Sequence, residues 1–318
     1  MSNELVTSEP KKMKILITGA EGFIGLALID HLLAELNTEN EIFCITRNKE
    51  SNVLPVSRKI KIIHHDLLNS NFPKLPSSVE VIIHLAGISK TFLSSNDGRK
   101  QLQDNILATS NVLEIAEKIK AKKLIFASSV YVYSGITASS FKEEMSLLPL
   151  EPLGISKHVS EMILRAHTAS SNLSVLSLRL FTVYGPGSKE TQFIPEAIKK
   201  FLHSEKHASF GNPSVKRDFI YITDVVRAFK LAIDTIALKG FNAINIASGR
   251  PHSIQEVVET IKNLTSSPKR ISFIKQNVND RSIDLDHCGD IYFAKKHLKW
   301  SPVVSFEDGL KNTINAIK

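Results

Sequence analysis

Cysteine is scarce: Cys44 and Cys288 are the only two in a chain of 318 residues, and they lie far apart. Two isolated thiols cannot build a disulfide framework, and a reducing, cytoplasmic setting is expected. Long apolar runs are missing as well. No stretch approaches the ~20 residues that a membrane helix needs. The opening MSNELVTSEPKKMK is polar and lacks the apolar centre of a signal peptide, so residues 1–12 read as a mobile tail. No low-complexity segment, linker or internal repeat breaks the chain. Acidic residues are outnumbered, 32 against 40 Lys and Arg, for a net charge of +8. That excess suits anionic ligands, or is simply a basic surface. There is no zinc spacing, RNP-like aromatic signature or long Lys/Arg run, so nucleic acid is not an expected partner, and neither is a membrane. The chain is ordinary in apolar content, 42%, which is enough to expect a sizeable core.

Short apolar, β-branched runs alternate with segments of helical period. MKILITG, EIFCITR, IKIIHHDL, VEVIIHLAG, KKLIFASS and LSVLSLRLFTVYG read as six buried strands. Helices are expected at FIGLALIDHLLAEL, RKQLQDNILATSNVLEIAEKI and GISKHVSEMILRAHTAS between them. This order implies right-handed βαβ crossovers and an α/β fold, a doubly wound parallel (Rossmann) sheet over 13–180. Beyond 180 the alternation loosens. Residues 181–318 are expected to form mainly a smaller C-terminal substrate-binding lobe, with part of the later chain returning to the first. Ser305 is the predicted N-cap of a closing helix, with Asp308 three residues on.

TGAEGFIG stands between the first strand and the first helix. Gly19 permits a sharp turn, Gly22 lets a pyrophosphate approach the backbone, and Gly25 lets helix and sheet pack closely. The helix N-terminus then offers unpaired N–H groups and the positive end of its dipole. A dinucleotide site is therefore expected over Gly19, Glu21, Gly22, Phe23, Ile24 and Gly25. An acid at the end of the second strand would hold the ribose of NAD. Thr46 stands there instead, followed by Arg47, which can pair with a 2′-phosphate, so NADP is favoured over NAD. Arg47 could equally stack on adenine or face solvent. Asp66, with Leu67 beside it, is placed to accept from the adenine amino group. Leu85, Ala86 and Gly87 of HLAG would bring small-residue backbone beside the cofactor. His84 reads as a core histidine.

TGAEGFIG, HLAG, ASSVYVYS, GISK, LRLFTVYGPG, RDFIYITD and INIASG follow one another in an order that resembles the extended short-chain dehydrogenases/reductases. More narrowly, the chain is similar to their nucleotide-sugar epimerase/dehydratase group, from about residue 13 to its end. The resemblance implies hydride transfer at a sugar carbon, with Ser129 and Lys157 in catalytic positions and Asn105 ordering the site. The proton-carrying Tyr of that group falls on Leu153, which has no proton to give. Three readings follow. Another side chain has taken over the work, with Tyr131 preferred and Tyr133 matching a structural Tyr. The protein binds dinucleotide without turnover, as a sensor or assembly subunit. Or the loop shifts register, although LLPLEPLGISK offers no other Tyr. Tyr131 could also merely pack against substrate or core. The resemblance further points to Arg217 and Arg281 as diphosphate contacts, with an Arg217–Asp224 ion pair or a surface Arg281 as the bland alternatives. Thr182 falls near the sugar or nucleotide, and Trp300 reads as core. A homodimer through the helices near 101–119 and 154–170 is implied in the same way. Epimerase, dehydratase and ketoreductase chemistries all remain open, although Val130 and Tyr131 replace the acidic pair of a standard 4,6-dehydratase.

Overall fold

The computed structural model describes residues 13–35, 37, 39–50, 52–90, 94–203, 207–235, 238–274 and 286–318. The expected tail at 1–12 and the candidate Arg281 lie outside the described residues. The first half runs β1 (Lys14–Thr18), α1 (Phe23–Glu35), β2 (Glu41–Thr46), β3 (Ile60–His64), β4 (Val81–His84), α2 (Ser95–Lys118), β5 (Lys123–Ser129), α3 (Pro152–Thr168) and β6 (Ser174–Leu180). A short 3₁₀ turn at Val130–Tyr133 follows β5. The second half runs β7 (Thr182–Tyr184), α4 (Phe193–Leu202), β8 (His207–Phe210), β9 (Lys216–Tyr221), α5 (Ile222–Asp234), β10 (Phe241–Ile246), β11 (Pro251–Ser253), α6 (Ile254–Leu264), β12 (Arg270–Phe273) and α7 (Phe306–Ile317).

The main sheet has seven strands in the order β10-β6-β5-β4-β1-β2-β3, and its pairings are parallel. This is the doubly wound sheet expected from the sequence. The strands are apolar on both faces because helices cover both. Ile15, Ile17, Ile42, Ile83 and Ile125 pack on the side of α1 and α5, with Leu28, Ile29 and Leu32. Leu16, Ile82, Leu124 and Phe126 pack on the side of α2 and α3, with Val112, Ile115 and Leu164. Successive residues of β1 thus feed opposite layers, as a two-residue strand period requires.

Strand order reverses between β1 and β4, where Thr18 lies opposite His84. In open α/β sheets ligands bind at such a switch point, beyond the carboxyl ends of the strands. Gly19 leaves β1 there with φ 71°, and a Cβ would sit 2.6 Å from the Ala86 nitrogen. Only glycine fits both the conformation and the close approach.

The run LSVLSLRLFTVYG is not one strand. β6 ends at Leu180 opposite Ile246 of β10, and β7 then pairs with β9 in a separate sheet ordered β11-β9-β7. No Gly or Pro marks the break; the competing partner strands decide it. A two-stranded sheet of β12 and β8 is separate from both. α2 starts a turn earlier than its apolar pattern suggests, because Ser94 caps it by accepting from the Asp97 nitrogen. Ser305 caps α7 as expected, accepting from the Asp308 nitrogen at 3.1 Å. Trp300 is buried and donates to the Asp224 carbonyl at 2.9 Å.

Candidate active site

The floor of the site is a set of buried polar side chains between β4, α2 and α3. Asn105 accepts from the Ile88 nitrogen at 2.7 Å and donates to the Ile88 carbonyl and to Ser156 Oγ, each at 3.0 Å. Ser156 Oγ donates on to the Leu153 carbonyl at 2.9 Å. These bonds lock the loop after β4 to the first turn of α3. A Cβ on Gly87 would lie 3.1 Å from Asn105 Oδ1 and 3.6 Å from Lys157 Nζ. Gly87, Asn105 and Lys157 therefore converge.

Lys157 is buried, donates to the Ala127 carbonyl at 2.7 Å and sits 4.6 Å above the Phe126 ring. Burial pushes its pKa down to about 8, and the Glu161 carboxylate only partly restores it. Glu161 is itself committed elsewhere. It forms a two-pronged ion pair with Arg179, at 3.0 and 2.7 Å, and accepts from Ser177 at 2.8 Å. These partners outweigh burial and hold its pKa below the usual carboxylate range. Lys157 is thus an ammonium held in a poorly solvated place beside neutral partners. That arrangement is costly for folding alone and suits an electron-rich ligand group.

His84 joins β1 to α2. Thr109 Oγ1 donates to the Asn105 carbonyl at 2.9 Å, so it accepts from His84 Nε2 at 3.3 Å. His84 Nδ1 then accepts from Thr18 Oγ1 at 2.7 Å, and that oxygen accepts from the Ala86 nitrogen at 3.3 Å. Burial, assisted by the charge of Lys157, lowers the His84 pKa to about 3, so it stays neutral. It is a structural histidine, as its place in HLAG suggests.

Ser129 is half-buried and caps the 3₁₀ turn, accepting from the Tyr131 nitrogen at 3.3 Å. Gly154 at the start of α3 packs directly on the Tyr131 carbonyl, with no room for a Cβ. Ser129, Tyr131 and the start of α3 are thereby held together. Leu153 is 4% exposed, closed off from solvent beside them. Tyr133 donates to Asn245 Oδ1 at 2.9 Å, accepts from Arg179 at 2.6 Å and stacks on Phe141 at 4.9 Å. It is tied into the core, and its phenol is pushed well above the usual range, first by burial.

The glycine turn leads from β1 directly into α1. The Gly22 nitrogen donates to the Gly19 carbonyl at 3.0 Å, and α1 begins at Phe23. Gly25 is buried against the backbone of Gly19 and Ala20. Glu21, Phe23 and Ile24 line this turn half-buried. Arg47 is exposed just past β2, while Thr46 is buried and accepts from the Asn48 nitrogen at 3.3 Å. Asp66 accepts from the Leu68 nitrogen at 3.1 Å, and Asn111 holds the Leu67 carbonyl at 2.7 Å. Leu85 and Ala86 are half-buried between Gly19 and Gly87. A turn that excludes side chains, a helix N-terminus and a buried ammonium at one switch point fit a dinucleotide.

The later part of the chain brings Arg217, on β9, and the half-buried Thr182, on β7. Arg217 donates to the Lys216 carbonyl at 3.1 Å, and its charge reaches both Glu151 and His287. Asp224 pairs with Arg227 at 3.2 Å and accepts from the Val303 and Val304 nitrogens. Sequence reasoning missed His287, which meets the Tyr131 ring edge-on at a centroid distance of 5.6 Å. It also missed Thr18, Thr109 and Ser156. Thr18 immediately precedes the phosphate turn and was within reach of a sequence argument. Nothing in LDHCGD marks His287, because only the fold brings that segment to Tyr131.

Residues 15–247 match the model of the NAD dependent epimerase/dehydratase family. A Bacillus subtilis protein described as an uncharacterized UDP-glucose epimerase, YtcB, is 30% identical over 312 residues, covering 95% of this chain and 97% of its own. A UDP-glucuronate 4-epimerase of Thermodesulfobacterium geofontis is 29% identical over 314 residues, covering 94% of each chain. Among solved structures, the Bacillus cereus UDP-glucuronic acid 4-epimerase in complex with UDP-glucuronic acid and NAD superposes with a TM-score of 0.83. It is 28% identical, covering 96% of this chain and 99% of the other.

Proposed function

Because the chain belongs to the NAD dependent epimerase/dehydratase family, we propose that it is an NAD(P)-dependent enzyme acting on a nucleotide-sugar by hydride transfer at a sugar carbon, as an epimerase or ketoreductase. One observation carries the dinucleotide part of this reading, and the family carries the chemistry. Lys157 is kept charged and buried at the floor of the site, with its carboxylate neighbour Glu161 bound to Arg179 instead. A protein with no ligand to place there would gain stability by losing that charge.

The bound dinucleotide would supply the oxidation and reduction. Lys157 would hold its nicotinamide ribose, and the Gly19–Gly25 turn its pyrophosphate. Ser129 would hold the reacting sugar oxygen, Arg217 the substrate diphosphate and Thr182 the sugar or nucleotide. Arg281 is a second candidate for the diphosphate. Tyr131 is the first-lobe candidate for the proton work that Leu153 cannot do. Exposed Arg47, with no acid at position 46, favours NADP over NAD. Leu107 of α2 and Met162 of α3 are exposed apolar side chains, which supports a homodimer through those helices. Both cysteines are free thiols, which suits the cytoplasm.

The buried Leu153 favours a second reading, a catalytically silent dinucleotide-binding protein. Release of the bound dinucleotide and its mass spectrum, then single-turnover absorbance with a panel of nucleotide sugars and their 4-keto forms, separates the two. A change of redox state with one sugar supports the enzyme. A tightly held dinucleotide that never changes redox state supports the silent binder.

A further inference from the structure

The glycine turn carries an acid where an anion is to bind. Glu21 stands between Ala20 and Gly22, in the backbone that would wrap the pyrophosphate. A carboxylate there repels the phosphates, so by itself it weakens the site. It does not cap α1 through its inner oxygen either, because Oε1 is buried and has no hydrogen-bond partner. A buried carboxylate oxygen left without a donor costs free energy unless a ligand supplies one. The residue as a whole is only half-buried, so the side chain is open to a ligand in the turn.

Its neighbours say which donor it can meet. β1 and β2 run side by side, with Ile17 opposite Cys44 and Thr18 opposite Ile45. Burial first, and the Glu21 charge second, push the Cys44 thiol up to about 12. The carboxylate thus reaches from the glycine turn toward β2. In a doubly wound fold the adenosine ribose lies between these two elements, and an acid at the end of the second strand ordinarily holds its hydroxyls. In this chain Thr46 stands there, buried and accepting from the Asn48 nitrogen at 3.3 Å. Arg47 is exposed just beyond, a cation suited to a 2′-phosphate. The ribose hydroxyls lack their usual acceptor, and Glu21 is an acceptor that lacks a donor.

We propose that Glu21 is the ribose acceptor of this dinucleotide site, taking the hydrogen bond of the adenosine 3′-hydroxyl in place of an acid on β2. The inference deepens the dinucleotide reading above and rests on it. Connectivity singles out the 3′-hydroxyl. From the pyrophosphate, C5′ and C4′ lead to C3′ before C2′, so a side chain of the turn that holds the phosphates meets the 3′ oxygen first. The 2′ position then falls toward Arg47. An ionised carboxylate only accepts, so it selects an O–H at that position. That charge-assisted bond offsets the repulsion between Glu21 and the phosphates. The ribose is held in this way whether or not its 2′ oxygen carries a phosphate.

The test titrates the full chain, stripped of dinucleotide, with NAD, NADP and two NAD analogues, one lacking the adenosine 3′-hydroxyl and one lacking the 2′-hydroxyl. A hydrogen bond to a charged group corresponds to about 10–100-fold in affinity, so wild type should bind the 3′-deoxy analogue that much more weakly than NAD. Glu21→Ala should bind NAD and the 3′-deoxy analogue equally. Glu21→Gln keeps the shape and a neutral acceptor, and should retain a smaller preference for NAD. It also guards the test against a loss of fold in Glu21→Ala. The same preference in wild type and in Glu21→Ala overturns the proposal. So does a penalty confined to the 2′-deoxy analogue that disappears with Glu21, which would put the carboxylate on the 2′ side. If wild type binds neither NAD nor NADP, the dinucleotide reading itself falls.

Discussion

Replacing Lys157 by Met should make the dinucleotide-free protein more stable while weakening its hold on dinucleotide. Met keeps the length of the chain and removes the charge. The folded-state pKa of about 8, against 10.5 for an ordinary Lys, corresponds to roughly 3 kcal/mol of disfavoured protonation. Its sign follows from proton counts. Between pH 8 and 10.5 the unfolded chain binds the proton more tightly than the folded one, so stability rises with pH through that window. Below it the full penalty applies. The substitution removes the penalty but also the bond to the Ala127 carbonyl and the contact with the Phe126 ring, together about 1–2 kcal/mol. The net gain is about 1–2 kcal/mol at pH 7, or a few degrees in Tm. Thermal melts of stripped wild type and Lys157→Met at pH 7 and at pH 9.5 read this directly, and dinucleotide titration reads the loss of function. The advantage of the variant should shrink at the higher pH. A variant less stable than wild type at pH 7, or a difference that does not change with pH, would refute the reasoning that Lys157 is kept for a ligand at a cost to folding.

Leu153→Tyr places a phenol one turn before Lys157; if the wild type is silent, turnover should appear only in this variant, and single-turnover absorbance decides. Arg47→Glu should shift preference from NADP toward NAD, measured by titration with both; an unchanged ratio removes Arg47 from the cofactor site. Arg179→Met strands the buried Glu161 carboxylate and should cost about 3–5 kcal/mol by denaturant unfolding. The Glu161 pKa is lowered on folding, so its contribution is present above the ordinary carboxylate range. That contribution is lost as pH falls through the folded value, and the gap between wild type and Arg179→Met should narrow in acid.

Much of the site was legible in the sequence because it is built from local signals. TGAEGFIG needs only its own strand and helix to make a phosphate turn, since backbone conformation and helix dipole are properties of neighbouring residues. Lys157 and Leu153 share one helix, so the absence of a tyrosine one turn before the lysine was visible at once. Asn105 was placed by motif order, although its bonds to Ile88 and Ser156 were not. The alternation of strands and helices carried the doubly wound sheet for the same reason: each βαβ unit buries its own apolar faces.

Other features have no local signal. The break between β6 and β7 falls inside an unbroken apolar run, because two sheets compete for its backbone hydrogen bonds. The tie between Arg179 and Glu161, which leaves Lys157 without a bonded anion, joins a strand to a helix through side chains alone. His287 reaches Tyr131 only because its strap bonds to β9 on one side and to the loop after β5 on the other. The sequence by itself determined a dinucleotide turn, a parallel sheet and the absence of a tyrosine at 153. The tertiary structure alone decided which buried charge stays without a bonded anion and which imidazole lies beside Tyr131, because burial and the pairing of charges depend on segments far apart in the chain.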